Sequence, residues 1–278
     1  MRLSVVATTY NQPEWLEKVL WGFEAQTYRD FEFLLADDGS DDRTKEVVAR
    51  VSPQVRYPIR HLWHEHIGFR KCTILNEAIA RSEGEYLFFT DGDCIPRPDL
   101  LAVHVAQAER GRFLSGGYLK LPMETSQKIT KDDILAGRAT DYGWLRANGT
   151  PASRQASRLR WGPVMSRLLD AVTTTGPTFN GHNSSVWRDD LFRVNGFDER
   201  LEWGGLDREL GERLENAGVR GKQIRHRALV VHLDHGRGYK RPEAMAKNRA
   251  IRDEVAAKRL TRTEFGVDGH VVASGTAP

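Results

Sequence analysis

The sequence predicts an α/β fold on a mostly parallel sheet with helices covering both faces. Short apolar runs alternate with segments whose apolar residues recur at helical spacing, and three polar clusters, at 8–11, 37–42 and 91–93, fall where those runs end. In sheets of this kind ligands bind beyond the carboxyl ends of the strands.

Residues Leu3 to Thr8 read as the first strand, and Tyr10-Asn-Gln-Pro13 as the loop after it. From Glu14 to Gln26, Trp15, Leu16, Val19, Leu20 and Phe23 recur at helical spacing. A second strand, Phe31 to Ala36, runs into Asp37-Asp38-Gly-Ser-Asp-Asp42, and Asp42 to Val51 is again helical in pattern. Asp41 or Asp42 suits a helix N-cap, whereas Asp37 and Asp38 stand at the strand end as candidate site residues. A third strand is expected at Ile59–Trp63 and a helix from about Arg70 to Ser82, with Ile74, Ala78 and Ile79 on one face. The next strand ends in Asp91-Gly-Asp93, two carboxylates one residue apart. Such a pair can hold a divalent cation against a diphosphate, but Asp-Gly-Asp is also ordinary turn chemistry, and context must decide.

Three stretches supply that context: Val6-Ala-Thr-Thr-Tyr-Asn11, Leu35-Ala-Asp-Asp-Gly-Ser-Asp41 and Glu83-Gly-Glu-Tyr-Leu-Phe-Phe-Thr-Asp-Gly-Asp93. Together they resemble the nucleotide-binding half of the GT-A glycosyltransferases of family 2. Phe179-Asn-Gly-His-Asn-Ser-Ser-Val-Trp-Arg-Asp-Asp-Leu-Phe192, Asn195-Gly-Phe-Asp-Glu199 and Trp203-Gly-Gly-Leu-Asp-Arg-Glu-Leu210 resemble the acceptor half, above all its galactosyltransferase-like carboxyl-terminal module. The resemblance spans roughly residues 3–240. It implies a donor half at 1–115, an acceptor-binding and catalytic half at 116–240, and, beyond them, a C-terminal helix and disordered tail at 241–278.

The activity implied is inverting, metal-dependent transfer of a sugar from a nucleotide-sugar, a UDP-sugar first, to a hydroxyl of a saccharide or lipid-linked acceptor in bacterial surface polysaccharide or lipopolysaccharide synthesis. Asp93 matches the metal-ligating Asp, and Asp91 the one facing ribose and metal. Thr8, Tyr10 and Asp38 match the uracil pocket. Asp207 matches the base that deprotonates the acceptor, and its place near a helix N-terminus would keep it ionised. Trp203, followed by Gly204 and Gly205, offers an aromatic platform for a sugar. His182 and Asn183 are candidates for lining the cleft. A His some 25 positions past the base returns to the metal in the family, which points to His232, with His235 as runner-up. An imidazole favours Mn²⁺ over Mg²⁺.

Two positions depart from the family. Leu206 stands where an acid usually precedes the base, and Ile74-Leu75-Asn76 where Ala-Arg-Asn is common, which leaves Arg70 or Lys71 as the cation facing the nucleotide. His61, His64 and His66 have irregular spacing and no acidic neighbour in sequence beyond Glu65, and read as no metal site. A nucleotidyltransferase would also pair acids, metal and nucleotide, but no Gly-rich phosphate loop with its lysine is present. Leu206 is the feature that favours a carbohydrate-binding relative without turnover.

Composition agrees. The chain has 278 residues, 40% of them hydrophobic, enough for a substantial core. Two cysteines, Cys72 and Cys94, make no disulfide framework, and neither a signal segment nor a run of transmembrane length is evident, so a cytoplasmic location is expected. Net charge is only +3, yet Arg146, Arg154, Arg158, Arg160 and Arg167 lie between Asp141 and Asp170 without an acid among them, interleaved with Trp144 and Trp161. This segment reads as an irregular loop that could hold a phosphorylated acceptor or touch an anionic membrane at the inner face of the cell. No nucleic-acid recognition motif accompanies it. Beyond residue 240 a weakly amphipathic helix is expected to pack through Met245, Ile251 and Val255, with disorder from about Thr263.

Overall fold

The computed structural model describes residues 1–236 and 241–271. The first half alternates as expected: β1 (Leu3–Thr9), α1 (Pro13–Glu24), β2 (Phe31–Asp37), α2 (Asp42–Val51), β3 (Ile59–Trp63), α3 (Lys71–Arg81) and β4 (Tyr86–Asp91). Next come β5 (Cys94–Pro96), α4 (Leu100–Gln107), β6 (Arg112–Ser115), β7 (Gly117–Lys120), α5 (Met123–Lys128), α6 (Lys131–Leu135), α7 (Tyr142–Ala147) and α8 (Pro163–Val172). The remainder is β8 (Ser184–Trp187), α9 (Arg188–Val194), α10 (Leu206–Asn216), β9 (Arg220–Gln223), β10 (Leu229–His232), α11 (Pro242–Lys258) and α12 (Asp268–Val271).

The main sheet runs β3-β2-β1-β4-β8-β6-β9, parallel except at β8, which is antiparallel to both neighbours. Strand residues alternate between two cores. Leu3, Val5 and Ala7 of β1 pack with Leu16, Val19, Leu20 and Phe23 of α1, while Val6 packs on the other side with Ile74, Leu75 and Ala78 of α3. Burial on both faces is why these strands are continuous apolar runs rather than alternating ones.

Register then assembles the rim. Thr8 is paired with Asp91 and Thr9 with Asp37, so the three polar clusters end side by side. A second sheet, β5-β10-β7, lies beyond it, with β10 antiparallel to β5 and His232 opposite Cys94. The two sequence halves therefore share both sheets, since β8 and β9 complete the large one and β5 belongs to the small one.

Three expectations need correction. The basic segment is not irregular: Asp141 caps α7 by accepting from Trp144 N at 2.7 Å, a 3-10 turn spans Ala156–Arg160, and α8 follows. On α11 the buried positions are Ala244, Asn248 and Val255, spaced along one face, while Met245 is 49% exposed. Residues after Thr263 are ordered as far as Val271: Thr263 Oγ1 donates to Asp198 at 2.8 Å, and Val267 is fully buried. The expected tail at 272–278 lies outside the described residues. Among the described residues no helix is long and apolar enough to cross a membrane.

Candidate active site

A cleft of about 740 Å³ opens at the strand ends, lined among others by Thr8, Tyr10, Asp38, Lys71, Asp91, Asp93, His182, Trp203, His232 and His235. Its floor is the tight passage from β4 to β5. Gly92 N donates to Thr8 O at 2.7 Å, and a side chain there would meet that oxygen at 2.9 Å, so this turn requires glycine.

The two acids of the turn face different partners. Asp91 Oδ1 accepts from Lys71 Nζ at 2.8 Å and from Thr8 Oγ1 at 2.7 Å. Burial opposes ionisation of Asp91, yet the Lys71 ammonium beside it holds its carboxyl well below the usual range. Burial likewise works against the charge on Lys71, but Asp91, Asp207 and Asp93 together raise its affinity for its proton. Asp93 instead faces two histidines, with His235 Nε2 at 3.0 Å and His232 Nε2 at 3.7 Å, their rings stacked at 5.3 Å.

The histidine tautomers test whether a metal fits. His232 Nδ1 lies 2.7 Å from Leu233 O and His235 Nδ1 2.8 Å from Gly236 O. A carbonyl oxygen only accepts, so each Nδ1 carries a hydrogen, and each Nε2 is turned toward the Asp93 carboxylate. Two imidazole nitrogens facing one carboxylate are ligand types that suit a divalent cation, and backbone-oriented imidazoles are the usual support of a metal site. Cys94 Sγ donates to Asp93 Oδ1 at 3.3 Å; burial, with the Asp93 and Asp91 carboxylates, pushes this thiol up, so it remains a donor. Asp93, Cys94 and His232 bring their ligand atoms within 4.8 Å of one another, His235 adds a second imidazole 3.0 Å from Asp93, and Asp91, the other acid expected at a metal, is held by Lys71.

Asp207 lies in the first turn of α10, packed close to Gly181, where a side chain would approach its Oδ1 to 3.1 Å. Burial raises its proton affinity, with Lys71 opposing and Asp91 adding to the effect. Burial thus works against the ionisation that a place in the first turn of α10 favours. Lys71, between Asp91 and Asp207, links the donor acids to the candidate base.

Other expected residues divide by position. Tyr10 is 44% exposed and stacks on His66 at 4.5 Å. Asp38 accepts from Arg70 N at 3.3 Å and lies 2.8 Å from His64 Nε2. Asp37 points inward, fully buried, accepting from Ser40 N and paired with His61 at 2.8 Å. The reading of these histidines as lacking acidic partners is therefore corrected: β2 and β3 lie side by side, and the partners come from the neighbouring strand's end. Arg70 enters through its backbone, and it is Lys71 that lines the cleft.

His182 lines the cleft edge-on to Tyr118 at 4.6 Å, and its Nε2 is buried with no hydrogen-bond partner among the described residues. Burial lowers its pKa to about 4, which leaves it neutral. Asn183 is fully buried outside the cleft lining, donating to Gly117 O at 2.8 Å and Ala228 O at 3.1 Å. Its order among the sheets rather than a substrate explains it. Trp203 lines the cleft, while Gly204 and Gly205 form the turn behind it with φ of 104° and 86°. Asn248 of α11 clasps that turn, donating to Glu202 O and Gly204 O at 2.9 and 2.8 Å. The polar residue buried on an otherwise plain helix was the available signal for this brace.

Residues 4–190 match the family model for Glycosyl transferase family 2, two thirds of the chain. The chain belongs to glycosyl transferase family 2. Residues 171–236 of this family member also match the model described as the N-terminal domain of galactosyltransferase. Among curated relatives, a validoxylamine A glucosyltransferase of Streptomyces hygroscopicus is 30% identical over 78% of this chain and 52% of its own length. The chondroitin synthase of Escherichia coli is 25% identical over 84% of this chain and 34% of its own length. The chain thus spans about half or less of these relatives. Solved structures agree on the fold. A mannosyltransferase of Pyrobaculum calidifontis with GDP-Man and Mn²⁺ superposes with TM-score 0.56 at 21% identity, covering 92% of this chain and 75% of that one. S. aureus TarS 1-349 with UDP-GlcNAc gives TM-score 0.61 at 16% identity, covering 97% and 69%. The fold is that of the GT-A glycosyltransferases.

Proposed function

We propose that this chain is an inverting, metal-dependent glycosyltransferase that moves a sugar from a nucleotide-sugar, with a UDP-sugar the first choice, to a hydroxyl of a saccharide or lipid-linked acceptor in surface polysaccharide or lipopolysaccharide synthesis. The observation that carries the reading is the pairing of Asp93 with His232 and His235 on the rim that also holds Asp91 and Lys71, with Asp207 of α10 acting on the same Lys71. Similarly folded proteins solved with GDP-Man and Mn²⁺ and with UDP-GlcNAc support the donor class.

Asp93, His232 and His235 would hold the cation, and their imidazoles favour Mn²⁺ over Mg²⁺. When bound, a divalent ion supplies Lewis-acid stabilisation of a departing diphosphate. Lys71 adds a fixed positive charge at the same rim. Tyr10 and Asp38 would take the base, the first by stacking and the second by accepting from a ring N–H. Trp203 offers an apolar face to a sugar. Asp207 removes the acceptor hydroxyl proton as that oxygen bonds to the anomeric carbon and the bond to the diphosphate breaks on the opposite side. A carboxylate whose burial strengthens it as a base suits that step. One base with no enzyme nucleophile is the arrangement for inversion.

The test is calorimetric titration of UDP, GDP, dTDP and CDP with and without Mn²⁺, on wild type and Asp93→Ala, followed by transfer assays with the nucleotide that binds. Metal-dependent binding of one nucleotide, lost in the variant, is expected. A folded protein that binds none of them would overturn the proposal and favour a relative without turnover.

A further inference from the structure

Helix α8 is built inside out. Its buried residues are the polar Ser166 and Asp170, while Val164, Met165, Leu168 and Val172 are 85, 43, 56 and 65% exposed. At 100° per residue those four share one stripe, and Trp161, two residues before the helix, is 38% exposed. A helix covering a core has the opposite polarity, so this one presents its apolar stripe to something outside the chain.

The orientation is locked from within. Asp170 accepts from His226 N at 2.8 Å and Arg227 Nε at 2.7 Å, on the segment that leads into β10 and His232. Rotating the stripe inward would break these contacts and leave Asp170 buried without partners.

Charge around the stripe identifies what it meets. Arg154, Arg160 and Arg167 are exposed, and the sequence from 142 to 169 contains no acid. Neither bounding acid neutralises them: Asp141 caps α7, and Asp170 is turned inward. Arg158 and Arg225 lie near each other with no ion pair for either among the described residues, and Arg225 Nε is buried without a partner. Arg158 also neighbours Tyr118, which lines the cleft, so the basic collar reaches the site. An apolar stripe containing Trp and Leu, ringed by arginines, matches an interfacial helix on anionic lipid. A symmetric pairing of two copies would set the two arginine collars against each other.

We propose that α8 and its arginine collar form a docking surface that seats this protein on an anionic lipid bilayer, stripe in the headgroup region and collar on lipid phosphates. The inference goes beyond the transferase reading and does not depend on it, because vesicle binding needs no turnover.

The experiment is co-flotation of the full chain with vesicles of phosphatidylcholine, alone or mixed with phosphatidylglycerol, at low and high salt. Three proteins are compared: wild type, Leu168→Ser/Val172→Ser and Arg154→Ala/Arg160→Ala/Arg167→Ala, each checked by circular dichroism. Wild type should float with the anionic vesicles and release at high salt. The stripe variant should lose about tenfold or more in partitioning, and the collar variant about fivefold per arginine. No flotation of wild type, or equal flotation of all three proteins, would overturn the proposal. So would a concentration-dependent dimer, seen by light scattering, that the stripe variant dissolves, since the stripe would then be a self-association surface.

Discussion

Lys71 Nζ lies 2.8 Å from Asp91 Oδ1, and the same ammonium bears on Asp207 and Asp93, so one cation connects the donor acids with the candidate base. Lys71→Met removes that cation and leaves the hydrogen bond from Thr8 Oγ1 on Asp91 Oδ1. Stability at neutral pH should fall by about 2 kcal/mol, the usual cost of stripping a charged partner from a hydrogen-bonded group. Urea unfolding of Lys71→Met, Asp91→Asn and the double variant checks this. The double variant should be less destabilised than the sum of the singles, whereas strict additivity would mean that the pair is not coupled.

His235 should matter to the metal at least as much as His232. Its Nε2 is 3.0 Å from Asp93, against 3.7 Å for His232, and both rings are oriented by backbone carbonyls. Mn²⁺ affinity, followed by the loss of the free-ion paramagnetic resonance signal, should fall in His235→Ala by at least the 10–100-fold typical of losing a supporting residue. A His235→Ala protein with wild-type affinity would return the site to Asp93 and His232.

Asp207→Asn keeps the shape of the α10 entrance and removes the base. Transfer should fall by roughly 10²–10⁴, while nucleotide binding in the presence of Mn²⁺ stays at the wild-type level. Equal losses of binding and transfer would instead assign Asp207 to donor binding.

Stability should also report on His104, which is fully buried between Asn183, Ser185 and the Phe88 ring. Burial lowers its pKa from 6.5 to about 4, so the unfolded chain takes up a proton before the folded one does. The stabilisation it provides is complete above pH 6.5 and is lost as pH falls toward 4, by roughly 3 kcal/mol in all. Melting temperatures of wild type and His104→Gln across that window should converge at the acid end. Parallel profiles would remove His104 as the cause.

Arg213 and Glu209 form an ion pair in the core, 1 and 0% exposed, with two further bonds from Arg213 to Val194 O and Gly196 O. Arg213→Met should cost about 3–5 kcal/mol, because it strands a buried carboxylate. Adding Glu209→Leu should recover part of that loss in thermal unfolding. A single variant as stable as wild type would show that water reaches Glu209.

Much of this was legible in the chain. The first four strands and three helices follow from continuous apolar runs and a periodicity of 3.6 residues, and their ends lie within a few positions of the expected ones. Asp91, Asp93, Lys71, Tyr10, Thr8, Asp38, Trp203, His182 and His232 all line the cleft. Asp37 does not, because neighbouring residues at a strand end point to opposite sides, and which side faces a ligand is set by the whole sheet. Asn183 was misjudged for a similar reason: its amide closes a gap between β7 and the residue before β10, elements distant in sequence.

Local pattern and chemistry were sufficient for the alternating α/β order, the rim of acids and the family, since each depends on residues a few positions apart. The partners of Asp91 and Asp93, the burial that raises the proton affinity of Asp207, and the outward turn of the α8 stripe came from packing. Each depends on which distant segments exclude water from a group or place a charge beside it, and strand register sets those neighbours.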